Sequence, residues 1–136
     1  EWVARTHGMT PEDVIELHAR AVYRVYMIGF TPGFAYLGGL PEALHTPRRE
    51  TPRTRVPAGS VAIGGQQAAV FSVAAPSGWH MLGRTPVRTF DLRRADPFLV
   101  GPGDRIRFSP ISADRFDALA ARAEAGDIVA HREEAD

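Results

Sequence analysis

Arg48, Arg49, Arg53 and Arg55 place four guanidinium groups within eight residues, and like charges at that density must be solvated or given an anion. Arginine's planar fork of donors matches carboxylate and phosphate, so the segment reads either as an exposed, solubilising loop or as an anion site. Pro47, Pro52 and Pro57 punctuate the same stretch. Each fixes φ and lowers the entropy lost in holding the arginines still, which favours a clamp. His45 stands beside the cluster as a candidate acid or base whose cationic form the arginines disfavour. His7, His18, His80 and His131 are scattered, with no HExxH or paired spacing, and indicate no metal site. Ser77, in Pro76-Ser77-Gly78-Trp79-His80, lacks the GxSxG elbow, and a histidine so close in sequence cannot reach back as its base. Gly38-Gly39 and Gly64-Gly65 either turn the chain or let backbone N–H groups approach a ligand. Phe30, Phe34, Tyr36 and Trp79 lie among Gly and Pro, as core plugs or as the wall of a binding site.

What is absent narrows the chemistry further. All 16 basic residues are arginine, which excludes Schiff-base chemistry, a lysine base and the GxxxxGK[ST] phosphate loop. The lack of cysteine excludes thiolate zinc sites and cysteine nucleophiles and suits a reducing compartment, so a cytoplasmic location is expected. Sixteen acids balance the arginines to a net charge of zero, which argues against nonspecific attraction to nucleic acid. No apolar run approaches the roughly 18 residues of a membrane span.

These side chains need a scaffold, and 136 residues suit one domain. Twenty of the 24 Gly and Pro residues fall between Thr31 and Pro110, a density that breaks helices and calls for β structure. A helix is expected from Thr10 as N-cap, with Pro11 at its first position, Asp13 completing a capping box and Met9 stapling onto Val14. A strand follows over 22–28, then a long irregular stretch over 31–57 broken only by a turn near Glu42. Short strands are expected over 60–63, 68–74, 86–90, 98–100 and 105–108, with a turn at Gly101–Asp104. A last helix starts at Ser112, buries Phe116, Leu119, Ala120 and Ala123, and stops at Gly126. Residues 1–111 hold 13 arginines against 9 acids and residues 112–136 hold 3 against 7. The final helix is therefore either an acidic solvated face or a partner for the basic segment.

The run Tyr23-Arg24-Val25-Tyr26-Met27-Ile28-Gly29-Phe30-Thr31-Pro32-Gly33-Phe34-Ala35-Tyr36-Leu37-Gly38-Gly39-Leu40 resembles the GFxPGFxYL signature of the 5-oxoprolinase B-subunit family, also known as the Kip-type kinase-inhibitor family and allophanate hydrolase subunit 1. His45 to Arg49, Pro52-Arg53, Val56 to Gly65, Gly78-Trp79, Gly83 to Pro86, Phe90-Asp91 and Gly103-Asp104 look like its later motifs, in its order, up to about Ile111. The resemblance implies a mainly β fold, a cyclophilin-like β-barrel with an N-terminal and a C-terminal helix. It divides the chain into a barrel over 1–111 and a helix and tail over 112–136. Since the chain opens on Glu1 and not on methionine, a smaller N-terminal domain of the parent protein is expected upstream.

The same resemblance implies work with the A and C subunits in converting 5-oxo-L-proline to L-glutamate with ATP and Mg, bound mainly by or with a partner, and no activity alone. It leaves two alternatives: a component of a urea- or allophanate-type amide hydrolase or carboxyltransferase, or an inhibitor that binds a sensor histidine kinase. Phosphorylating the lactam oxygen creates charge that preorganised donors must stabilise. On that footing His45, Arg53 and Arg84 are the catalytic candidates. Arg48, Gly64, Gly65 and Gln67 would bind substrate or phosphate, and Phe34, Tyr36 and Trp79 would form the wall. The chain departs from the family pattern where Gln-Thr-Gly is replaced by Gln67-Ala68-Ala69 and Pro-Gly-Gly-Trp by Pro76-Ser77-Gly78-Trp79. If the threonine position touches substrate, Ala68 alters it.

Overall fold

The computed structural model describes residues 2–28, 34–94 and 98–130. The expectations placed on Gly29, Phe30 and Gly33, and on His131, lie outside them. Helix α1 (Trp2–Thr6) buries Val3 and Ala4; its five residues carry no capping signal, and nothing in the sequence announces it. Helix α2 (Pro11–Arg20) opens as expected: Thr10 Oγ1 accepts from the Asp13 amide at 3.1 Å, and the Asp13 carboxylate accepts from the Thr10 amide at 3.0 Å. Met9 packs on the same apolar cluster as Val14.

The strands are β1 (Tyr23–Ile28), β2 (Ala35–Gly38), β3 (Arg53–Val56), β4 (Ser60–Gly64), β5 (Gln67–Val70), β6 (Ala75–Ser77), β7 (His80–Arg84) and β8 (Arg105–Ile106). Six of them form an antiparallel sheet in the order β7-β4-β5-β2-β1-β8, and β3 pairs with β6 as a separate ribbon. The fold is therefore mainly β with helices at both ends. Alternation along the strands sends neighbouring residues into two cores. Leu37, Ile63 and Ala68 join Val3, Ala4, Val14, Tyr23 and Leu44 under the helices. Tyr36, Ala62 and Ala69 join Phe34, Phe71, Trp79, Val56 and Ala75 under the β3–β6 ribbon.

Several boundaries differ from expectation. The stretch 31–57 holds two strands besides the expected turn at Glu42–Leu44. Strand β2 lies in the middle of the sheet, between β1 and β5, with both faces covered, so it shows no period-two pattern. Strand β3 exposes three of its four residues and so reads as polar loop. The strand expected over 86–90 is displaced to β7, and Phe90 and Phe98 make only an isolated bridge. Strand β5 ends at Val70, and Ala75 begins the ribbon strand β6.

Helix α3 (Ala113–Glu124) has the expected cap, with Ser112 Oγ accepting from the Arg115 amide at 3.2 Å and Gly126 at φ +103°. Its burial is shallower than expected: Ala123 is buried, whereas Phe116, Leu119 and Ala120 do not reach the core. Two arginines reach the helix. Arg84 lies 5.8 Å from the Phe116 ring centroid, and Arg93 donates to the carbonyls of Ala123 and Glu124. Arg93 is itself gripped by the Asp91 carboxylate, through Nε at 3.0 Å and Nη2 at 2.8 Å. Those bonds hold the Asp91 carboxyl well below the usual carboxylate range.

Candidate functional site

Trp79 is the centre of the site. Its indole is buried edge-on to Phe34 at 6.1 Å and Tyr36 at 6.4 Å, and Phe34 in turn meets Tyr36 at 4.8 Å and Phe71 at 5.0 Å. The ring can lie there because Gly64 has no side chain: a Cβ at that position would stand 2.8 Å from Trp79 Cδ2. Ser77, where the resemblance leads one to expect glycine, sits in an extended strand and accepts a hydrogen bond from the Trp79 amide at 3.0 Å. The substitution thus ties down the tryptophan two residues on. It also engages the Ser77 hydroxyl as an acceptor, and His80 points elsewhere, so the pair makes no hydrolase dyad.

Over this ring lies Arg48, with Cζ 5.5 Å from the centroid, in the stacking range for a cation on an indole. Its backbone is pinned on both sides. Thr46 and Gly65 exchange amide bonds at 3.1 and 2.7 Å, Arg49 N–H donates to Gly78 O at 2.7 Å, and His80 Nε2 lies 2.7 Å from Pro47 O. A guanidinium held over an aromatic ring still has N–H donors to offer an anion. Arg48 is exposed, and among the described residues no carboxylate stands within ion-pair distance of Arg48, Arg49, Arg53, Arg55 or Arg84.

The other sequence candidates fall into two groups. Gly64 and Gln67 face one another across the β4–β5 turn beside Trp79, and Gly65 occupies that turn at φ +58° with its N–H and C=O taken by Thr46. Phe34, Tyr36, Trp79, Arg48, Gly64, Gly65 and Gln67 are therefore gathered by adjoining elements. His45 is half-buried and donates Nε2–H to Leu40 O at 2.9 Å, which leaves Nδ1 outside that bond. Arg53, in register with Ser77, and Arg84 line a different feature, a cleft of about 2200 Å³ between the β7 and β8 edges under α3. Arg84 ends β7 four residues from His80, about 13 Å along an extended strand. Ala68 is fully buried in the helix-side core, across from Leu37 and Ile63. That departure from the family pattern therefore falls in packing and not on the Trp79 face.

Sequence reasoning gave no role to four contributors. His7 donates to Thr46 Oγ1 at 2.7 Å, and that hydroxyl passes its hydrogen to Leu44 O at 2.8 Å, steadying the segment that leads into Arg48. Trp2 stacks on His80 at 4.7 Å and 8°. His80 was visible only as the neighbour of Trp79. His18 also lines the cleft, and burial lowers its pKa to about 4. Among the described residues no three His, Asp or Glu side chains gather into a metal cage, and no helix is long and apolar enough to cross a membrane.

A family model described as carboxyltransferase domain, subdomain C and D, matches residues 1–100. The chain is 54% identical over 106 residues to the 5-oxoprolinase B subunit of Haemophilus influenzae, covering 78% of this chain and 50% of that protein. It superposes with a TM-score of 0.81 on a conserved uncharacterized protein of Pyrococcus horikoshii, at 49% identity over 85% of this chain and 53% of the other. The urea amidolyase of K. lactis shares the fold at a TM-score of 0.75 and 21% identity, covering 92% of this chain and 8% of that one. The chain spans about half the length of the curated relatives it matches.

Proposed function

The chain belongs to the carboxyltransferase subdomain C and D family that includes the 5-oxoprolinase B subunits, and on that premise we propose that it is part of an ATP-dependent 5-oxoprolinase. In this reading it works with the A and C subunits to convert 5-oxo-L-proline to L-glutamate and is inactive alone. The designation of the relatives as B subunits marks them as members of a multi-subunit assembly. Residues 1–111 supply the barrel part and 112–136 its helix and tail, in the cytoplasm. ATP and its Mg²⁺ enter as substrates held mainly by or with a partner.

The observation that carries the reading to particular residues is Arg48, exposed, without a carboxylate partner among the described residues and laid on Trp79. A lactam is a poor electrophile, and phosphorylation of its oxygen makes the ring carbon open to water. Donors fixed before the reaction stabilise the charge that develops. Arg48 holds an anionic group of the substrate, with Gly64, Gly65 and Gln67 shaping the turn beside it and Phe34, Tyr36 and Trp79 excluding water. Arg53 and Arg84 stabilise charge along the cleft, and His45 Nδ1 carries a proton. The urea amidolyase likeness supports a shared fold and is consistent with the amide-hydrolase or carboxyltransferase alternative without establishing it.

The test is glutamate release from 5-oxoproline and ATP by the protein carrying this chain mixed with the A and C subunits, each omitted in turn. Activity that needs all three supports the reading. An assembled complex that releases no glutamate overturns it and directs attention to another amide.

A further inference from the structure

Arg48 owes its place to more than the ring beneath it. Its preceding residue, Pro47, offers a carbonyl that lies 2.7 Å from His80 Nε2. A carbonyl only accepts, so Nε2 carries the hydrogen. His80 is buried to 6% exposure and its ring is stacked by Trp2 of α1 at 4.7 Å and 8°, which fixes the direction of that N–H. The neighbouring residue, Trp79, lies under the Arg48 guanidinium. One dipeptide therefore holds Arg48 twice, by its side chain and by the carbonyl before it. His80 and Trp2 also line the cleft that contains Arg53 and Arg84, whereas Arg48 does not, so the brace joins the two groups of arginines.

We infer that His80, steadied by Trp2, is a positioning residue that holds Arg48 over Trp79, with its N–H donors presented to the carboxylate of the substrate. The inference rests on the reading of Arg48 as an anion anchor. A carboxylate is the fitting class because one guanidinium edge matches its two oxygens and its single charge. His80 does not touch the substrate. Its loss lets the Pro47–Arg49 segment drift, so the arginine leaves the ring and substrate binding weakens more than turnover.

Two readouts test this. In the chain itself, the Arg48 side-chain NMR signals should carry an upfield ring-current shift from Trp79. In the complex with the A and C subunits, KM for 5-oxoproline reports the anchor. His80→Phe, which keeps a ring under Trp2 but has no N–H, should abolish the Arg48 shift. It should raise KM about fivefold, the weight of one net hydrogen bond, with kcat changing less. His80→Gln, whose amide nitrogen reaches the Nε2 position, should restore both. His80→Asn, too short to reach, substitutes for the phenylalanine variant should that one fail to fold. If Arg48→Ala raises KM but His80→Phe or His80→Asn leaves shift and KM unchanged, the positioning role is wrong and the anchor survives. If Arg48→Ala itself leaves KM unchanged, the anchor falls and this inference falls with it.

Discussion

Gly64→Ala is the most discriminating test of how the site is built. A methyl group at Gly64 would stand 2.8, 3.1 and 3.2 Å from Cδ2, Cε2 and Cε3 of Trp79, where carbons prefer roughly 3.5–4.0 Å. The indole must retreat by about 0.7–1 Å, against Phe34 and Tyr36 on its flanks and Arg48 above it. Overpacking of this kind costs about 1–3 kcal/mol, which in a chain of this size lowers Tm by roughly 4–12 °C. The backbone is not the cause, because Gly64 lies outside the left-handed region. Gly83→Ala is the control: Gly83 also lies in a strand, and no atom stands within 4 Å of its would-be Cβ, so alanine there should be neutral or slightly stabilising. Thermal melts of the two variants should differ by several degrees, with a change in tryptophan emission only for Gly64→Ala. Equal melting temperatures would refute the claim that Gly64 is a seat for the indole.

His18 should make stability depend on pH. Its folded pKa is lowered to about 4 by burial, so between that value and the ordinary 6.5 the unfolded chain binds the extra proton. Stability therefore rises with pH across this window, by roughly 3 kcal/mol in all, and denaturant midpoints for His18→Leu should lose that slope. Thr10→Ala removes the side-chain half of a capping box, the Oγ1 that accepts from the Asp13 amide, and should cost about 1 kcal/mol by urea unfolding; an unchanged midpoint would show that the cap is idle. Arg53→Ala and Arg84→Ala should each lower turnover of the assembled complex by about tenfold or more if they meet transition-state charge. Unchanged kinetics in both would remove the cleft from the mechanism.

The helices with caps were legible because their signals are local: Thr10 with Asp13, and Ser112 with Gly126. The turn at Gly101–Asp104 was legible for the same reason, its Asp104 carboxylate accepting from the Gly101 amide at 2.8 Å. Strands β2, β3 and β6 were not, because their pairing is set by partners distant in sequence. Ala35 to Leu37 is strand because β1 and β5 flank it, and Arg53 and Val56 because Ser77 and Ala75 lie opposite. The aromatic wall was visible as residue types, but not that Gly64 serves the indole. The arginine cluster was visible as charge, yet its sequence proximity to Arg48 did not place Arg53 on the same feature. Arg84 came from the family pattern alone. Trp2 carried no signal and His80 only its place beside Trp79, since their contact joins α1 to β7, distant in sequence.

The measurement that bears most directly on the account is the KM for 5-oxoproline of the complex assembled with Arg48→Ala, beside the wild-type chain. An anchor that supplies a charge-assisted pair to a carboxylate is worth about 1.5–3 kcal/mol, so KM should rise at least about tenfold while the complex still assembles. An intact complex with wild-type KM would contradict the account, because the arginine held on Trp79 would then be a surface ornament of the fold and not the residue that receives the substrate.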